Sequence, residues 1–144
     1  MAGRDFEQLE VYQIARDLRK RIYRLAESLL NTEKFNLAQQ MRRAALSVSA
    51  NIAEGHGTYT FRQNISYLHR ARGSVYELRD DLNLCDDEEY AGKELLEDIK
   101  GKAVRLITVI NGYIRYLRRK DSAYDQPGGV EARNTDVPTT ERPS

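Results

Sequence analysis

Four stretches of this chain repeat apolar residues at alternating steps of four and three. That spacing gathers side chains along one side of an α-helix and scatters them over both faces of a strand. Residues 6–30 carry Val11, Ala15, Leu18, Ile22, Leu25 and Leu29, and residues 36–55 carry Leu37, Met41, Ala45, Val48 and Ile52. The third series is Ile65, Leu68, Ala71 or Arg72, Val75, Leu78, Leu82 and Cys85; the fourth is Leu96, Ile99, Ala103, Leu106, Ile110, Tyr113 and Leu117. Four seamed helices joined by short loops predict an all-α fold, an antiparallel up-down-up-down four-helix bundle over residues 1–120.

The residues between the seams place the helix ends. Asn36 with Gln39, and Thr60 with Gln63, each have the form of an N-cap with a reciprocal partner at the third helical position. Gly55 reads as a left-handed stop, and Gly73 in mid-helix as a point of close approach by a neighbour. The run Asp86, Asp87, Glu88 and Glu89 ends the third helix and is placed to cap the next, expected from about residue 90. After Lys120 the chain carries Gly128, Gly129 and its three prolines with few apolar residues, which predicts a disordered tail over 121–144.

Composition narrows the class. With 144 residues, 40% apolar and 31% charged, the chain has the make-up of one water-soluble domain. No apolar run reaches the roughly 20 residues of a membrane helix, and the first residues lack a signal-peptide core. A cytoplasmic protein without a membrane partner is expected. The single cysteine, Cys85, reads as a small buried hydrophobe. Residues 1–120 hold 21 Lys/Arg against 17 Asp/Glu, a net +4, and residues 121–144 hold 2 against 5, a net −3. The helical part is therefore mildly basic and the tail acidic.

Within that basic part, Arg16, Lys20 and Arg24 recur every fourth residue on helix one, with Arg19 and Tyr23 beside them. A phosphate backbone could meet several such donors at once, and an exposed Tyr23 ring could stack on a base. The bland reading is a solvated helix face diluted by Asp17 and Glu27. Arg42 and Arg43 lie about 100° apart on their helix, so one is expected to point inward. With Glu54 and Glu77 they suggest an interior or interfacial charge network, with ligand contact as the alternative. On helix four, Val104, Ile107 and Ile114 widen the apolar stripe and, with Tyr116, form a candidate interface between identical subunits.

Enzyme chemistry finds little support. Neither His56 nor His69 follows a glutamate by three positions, and their separation does not suit a metal pair. The helical serines lack a nucleophile elbow. The expectation is a non-enzymatic protein with no cofactor and no metal.

Taken in order, Phe6-Glu7-Gln8-Leu9-Glu10-Val11-Tyr12, Glu33-x-Phe35, Gln40-Met41-Arg42-Arg43-Ala44, Asn51-Ile52-Ala53-Glu54-Gly55 and Gly73-Ser74-x-x-Glu77 resemble the bacterial 23S rRNA intervening-sequence protein family over roughly residues 5–118. The resemblance implies a left-handed up-down bundle assembling into a pentameric ring, without known catalysis. The family is similar to the accessory variability proteins of diversity-generating retroelements, basic pentamers that bind a reverse transcriptase and nucleic acid. Two departures stand out: Gly57-Thr58-Tyr59-Thr60 replaces a basic residue and serine common at that loop, and Arg72 precedes Gly73. The resulting expectation is a homo-oligomeric, pentameric scaffold that binds RNA or DNA, with a reverse transcriptase as a candidate partner. Its alternative is a protein–protein assembly module whose arginines are structural.

Overall fold

The computed structural model describes residues 5–29 and 34–122. A short 3-10 turn, Phe6–Gln8, leads into four α-helices: α1 (Glu10–Ser28), α2 (Phe35–His56), α3 (Phe61–Asp87) and α4 (Lys93–Asp121). Among the described residues there is no strand. The tail expected at 121–144 lies, from residue 123 onward, outside the described residues, as does Glu33. Asp121 belongs to the folded part, ending α4 and accepting at 2.7 Å from Arg62 Nε on α3.

The apolar seams become the core. In α1 the buried residues are Val11, Ala15, Leu18, Ile22, Leu25 and Ala26, the predicted stripe as far as Leu25 with one added alanine, and Leu29 follows, buried, as the C-cap. Helices α1 and α2, α2 and α3, α3 and α4, and α4 and α1 pack against one another, closing a cycle around shared apolar side chains. Polar pairs mark the level at which neighbours meet. Gln40 Nε2 donates to Asp81 Oδ1 at 2.9 Å, Ser74 Oγ to Ser47 Oγ at 2.9 Å, and Arg72 Nη1 to Asn111 Oδ1 at 2.6 Å. Cys85 is buried as expected, and burial pushes its thiol up to about 11.

Helix ends differ from expectation in informative ways. The capping box at Thr60 and Gln63 is present in full. Helix α2 instead starts at Phe35 behind Lys34, without a side-chain cap, so Asn36 is inside the first turn. Gly55 does not stop α2. It lies buried within the helix, where an added Cβ would stand 2.6 Å from Asn64 Oδ1 and 2.8 Å from Tyr67 Cβ of α3. The close approach predicted at Gly73 is absent, since an added Cβ there meets nothing within 4 Å. The acidic run closes α3, with Glu89 in the left-handed region at φ 57° and Tyr90 N–H donating to Cys85 O at 2.8 Å. It does not cap α4, whose N-cap is Gly92.

The widened stripe of α4 is consumed inside the chain. Ile107, Ile114 and Tyr116 are buried by neighbouring helices, so they are core residues and not a surplus left for another subunit. Only Val104 of that group is exposed, at 46%. The reason is geometric: every helix of the cycle, α4 included, packs against two neighbours and so needs a wider apolar arc than the two-helix seam read from the sequence.

Candidate nucleic-acid interface

Helix α1 buries one stripe, which forces its remaining residues onto three lateral sectors with different charge. On the side toward α4, Arg21 Nε meets Asp17 Oδ2 at 3.0 Å and Arg21 Nη1 meets Asp98 Oδ2 at 3.3 Å. Further along that seam, Arg105 Nη2 pairs with Glu10 Oε1 at 3.1 Å. Asp17, which dilutes the basic series in one dimension, is thus engaged to one side of it.

On the outward sector Arg16, Lys20 and Arg24 are exposed, and none forms an ion pair among the described residues. Arg24 also rims a groove between α1 and α4 together with Arg21, Leu25, Ser28, Leu95 and Ile99. Glu27 is an exposed carboxylate on the same helix.

On the side toward α2 the chain adds residues that helix one alone could not reveal. Arg19 Nη1 donates to Ser49 Oγ at 2.7 Å, and Ser49 Oγ donates onward to Leu46 O at 3.2 Å. Arg19 is therefore a fixed, half-buried cation and less available than its outward neighbours. The Arg42 guanidinium stacks over the Tyr23 ring, 5.7 Å from its centroid. Tyr23 keeps 37% of its surface exposed, and Leu46 beside the Arg19 anchor keeps 50%. The site consequently combines outward cations with a ring whose companion charge comes from another helix, a pairing that suits a phosphate-and-base ligand.

The charge network expected among Arg42, Arg43, Glu54 and Glu77 does not form inside the chain. Arg43, Glu54 and Glu77 are exposed, and no ion pair joins any of the four to another. Arg42 is the inward member of the arginine pair, with its Nε buried, but it turns toward α1 rather than toward a glutamate. Helix geometry explains the miss. Adjacent arginines must diverge by about 100°, but which neighbour each meets depends on how the helices are arranged.

A model of the family described as 23S rRNA-intervening sequence protein matches residues 7–112. Among solved structures, the chain is similar to a protein of unknown function from the S23 ribosomal protein family from Bacteroides thetaiotaomicron VPI-5482. The two share 25% sequence identity with a TM-score of 0.69, covering 73% of this chain and 98% of that one. No curated protein matches.

Proposed function

We propose, given that the chain belongs to the 23S rRNA-intervening sequence protein family, that it is a non-enzymatic scaffold binding RNA or DNA through the outward face of α1. The observation that carries this reading is the separation of charge on that helix. Asp17 and Glu10 are engaged on the α4 side, while Arg16, Lys20 and Arg24 face outward without ion-pair partners among the described residues, near the Tyr23–Arg42 stack, and Glu27 remains exposed on the same helix. Cations so placed can replace the counterions of a phosphate backbone without first breaking an internal salt bridge.

The scaffold is an antiparallel bundle in this reading. Rising numbers on one helix meet falling numbers on the next, as in Gln40 with Asp81 and Ser47 with Ser74, which supports that topology. Assembly into a ring of five identical chains, implied by the motif resemblance, would repeat the α1 face on every subunit and multiply weak contacts through effective concentration. Exposed Val104, Tyr76 and Leu84 supply apolar surface for such contacts. The motif resemblance implies a nucleic-acid enzyme such as a reverse transcriptase as the protein partner of such a scaffold.

The test is the double variant Arg16→Glu with Lys20→Glu, assayed for RNA retention across a salt titration. Wild type should lose affinity steeply with salt, and the variant should lose retention while keeping helicity and particle size. Equal binding by both proteins at low salt removes the α1 face from consideration. Absence of salt-dependent binding in wild type, with a protein partner retained in a pull-down, would favour the assembly-module reading instead.

A further inference from the structure

A second cationic cluster lies between α3 and α4, away from the α1 face. Its centre is His69, half-buried on α3, with a guanidinium at each ring nitrogen. Arg72 Nη2 stands 2.7 Å from His69 Nδ1, and Arg118 Nη2 of α4 stands 3.5 Å from His69 Nε2. Arg72 is held in place by its 2.6 Å bond from Nη1 to Asn111 Oδ1 on α4. Arg115, exposed one helical turn before Arg118, adds a further positive charge on that side. Among the described residues no carboxylate forms an ion pair with Arg72, Arg115 or Arg118.

The hydrogen-bond arithmetic of this cluster does not close. A guanidinium only donates, and a neutral imidazole carries one N–H and one lone pair. Burial first, then Arg72 and Arg118, hold His69 below its ordinary range, which keeps the ring neutral at physiological pH. The short contact makes Nδ1 the acceptor from Arg72, so the proton resides on Nε2. That N–H then faces the N–H groups of Arg118. Two donors converge on one space with no acceptor between them, and unneutralised positive charge surrounds it.

We propose that the His69–Arg72–Arg118 cluster is an anion site for a phosphate group, whose oxygen accepts from His69 Nε2–H and the Arg118 guanidinium together. The chemistry is that of a phosphoryl oxygen on paired nitrogen donors, in which each charge-assisted bond is stronger than a neutral one. Free inorganic phosphate and a nucleic-acid phosphodiester present the same oxygen, and the experiment separates them. The site does not depend on the α1 surface, because no residue is common to the two.

The full-length chain with isotope-labelled histidine rings is titrated at constant pH and ionic strength, in one arm with inorganic phosphate and in the other with a short single-stranded RNA. His56, at the end of α2, serves as the internal reference. A saturable shift of the His69 ring signals, with His56 unmoved, is expected in at least one arm. Phosphate alone sufficing assigns the free anion, and a response restricted to RNA assigns the phosphodiester. Because Arg118 is exposed, Arg118→Gln should leave helicity intact and weaken the response by about tenfold or more. Arg16→Glu with Lys20→Glu should leave the phosphate response unchanged, so failure of the α1 proposal and failure of this one are told apart. No saturable His69 shift in either arm, a shift that chloride reproduces, or an unaltered response in Arg118→Gln overturns the site.

Discussion

Two glycines show how little a residue's identity says about its task until its neighbour is known. Gly55 and Gly73 both interrupt helical seams, and the sequence suggests a stop at the first and a close approach at the second. The roles are otherwise: α3 crosses so near Gly55 that a methyl group would press on Asn64 and Tyr67, whereas Gly73 borders open space. Gly55→Ala should therefore destabilise the fold by about 1–3 kcal/mol through overpacking. Gly73→Ala should stabilise it by about 0.5–1 kcal/mol through helix propensity. Chemical denaturation of the two variants beside wild type reads both signs. Asp81 gives a second prediction at this scale. It is only 4% exposed, and burial, then Asp80, then Glu77 push its carboxyl from 3.8 up to about 6. Gln40 satisfies Oδ1, while Oδ2 is buried without a hydrogen-bond partner. The folded chain thus holds this proton more tightly than the unfolded one. Stability lost to ionisation is greatest above pH 6 and is recovered as pH falls toward 3.8. Asp81→Asn should raise stability at pH 7 by on the order of 2 kcal/mol, and the gain should fade across that window. A gain that stays constant with pH would show that ionisation is not its source.

Helices were far more legible than their ends. Seams repeat over several turns, so one misplaced residue hardly shifts them, whereas a cap rests on one side chain and its backbone neighbour. The box at Thr60 could be read because both halves are local: Thr60 Oγ1 accepts from Gln63 N–H and Gln63 Oε1 from Thr60 N–H, each at 3.2 Å. Asn36 mimicked the same signature, but Phe35 had already entered the helix. Thr60→Ala should cost about 1 kcal/mol and loosen the start of α3, measurable as faster amide exchange at residues 61–64. Asn36→Ala should change stability much less, since no cap bond depends on it. Unchanged exchange in Thr60→Ala would mean that packing of Phe61, only 1% exposed, holds this end without the cap.

Across the whole molecule, charge separates by helix side in a way that net charge conceals. The chain carries only +1 overall, yet ion pairs join α1 to α4 and α3 to α4 while Arg16, Lys20 and Arg24 on outward α1, and Arg72, Arg115 and Arg118 around His69, lack an ion-pair partner among the described residues. If the ring assembles, light scattering should return about five times the 16.6 kDa chain mass, and the salt slope of RNA binding should exceed that of one α1 face. A single-chain mass at working concentration would rule out the ring and leave the α1 face to act alone. The all-helical class, the four seams, the burial of Cys85 and the outward row on α1 are legible in the order of residues, because all of these follow from the 3.6-residue period of one helix. Packing of the helices against one another brings Arg42 to Tyr23 and Arg72 and Arg118 to His69, makes Ile107, Ile114 and Tyr116 core, and sets which glycine a neighbour crowds. Those outcomes depend on the lateral arrangement and register of separate helices, and no periodicity within a single helix contains that information.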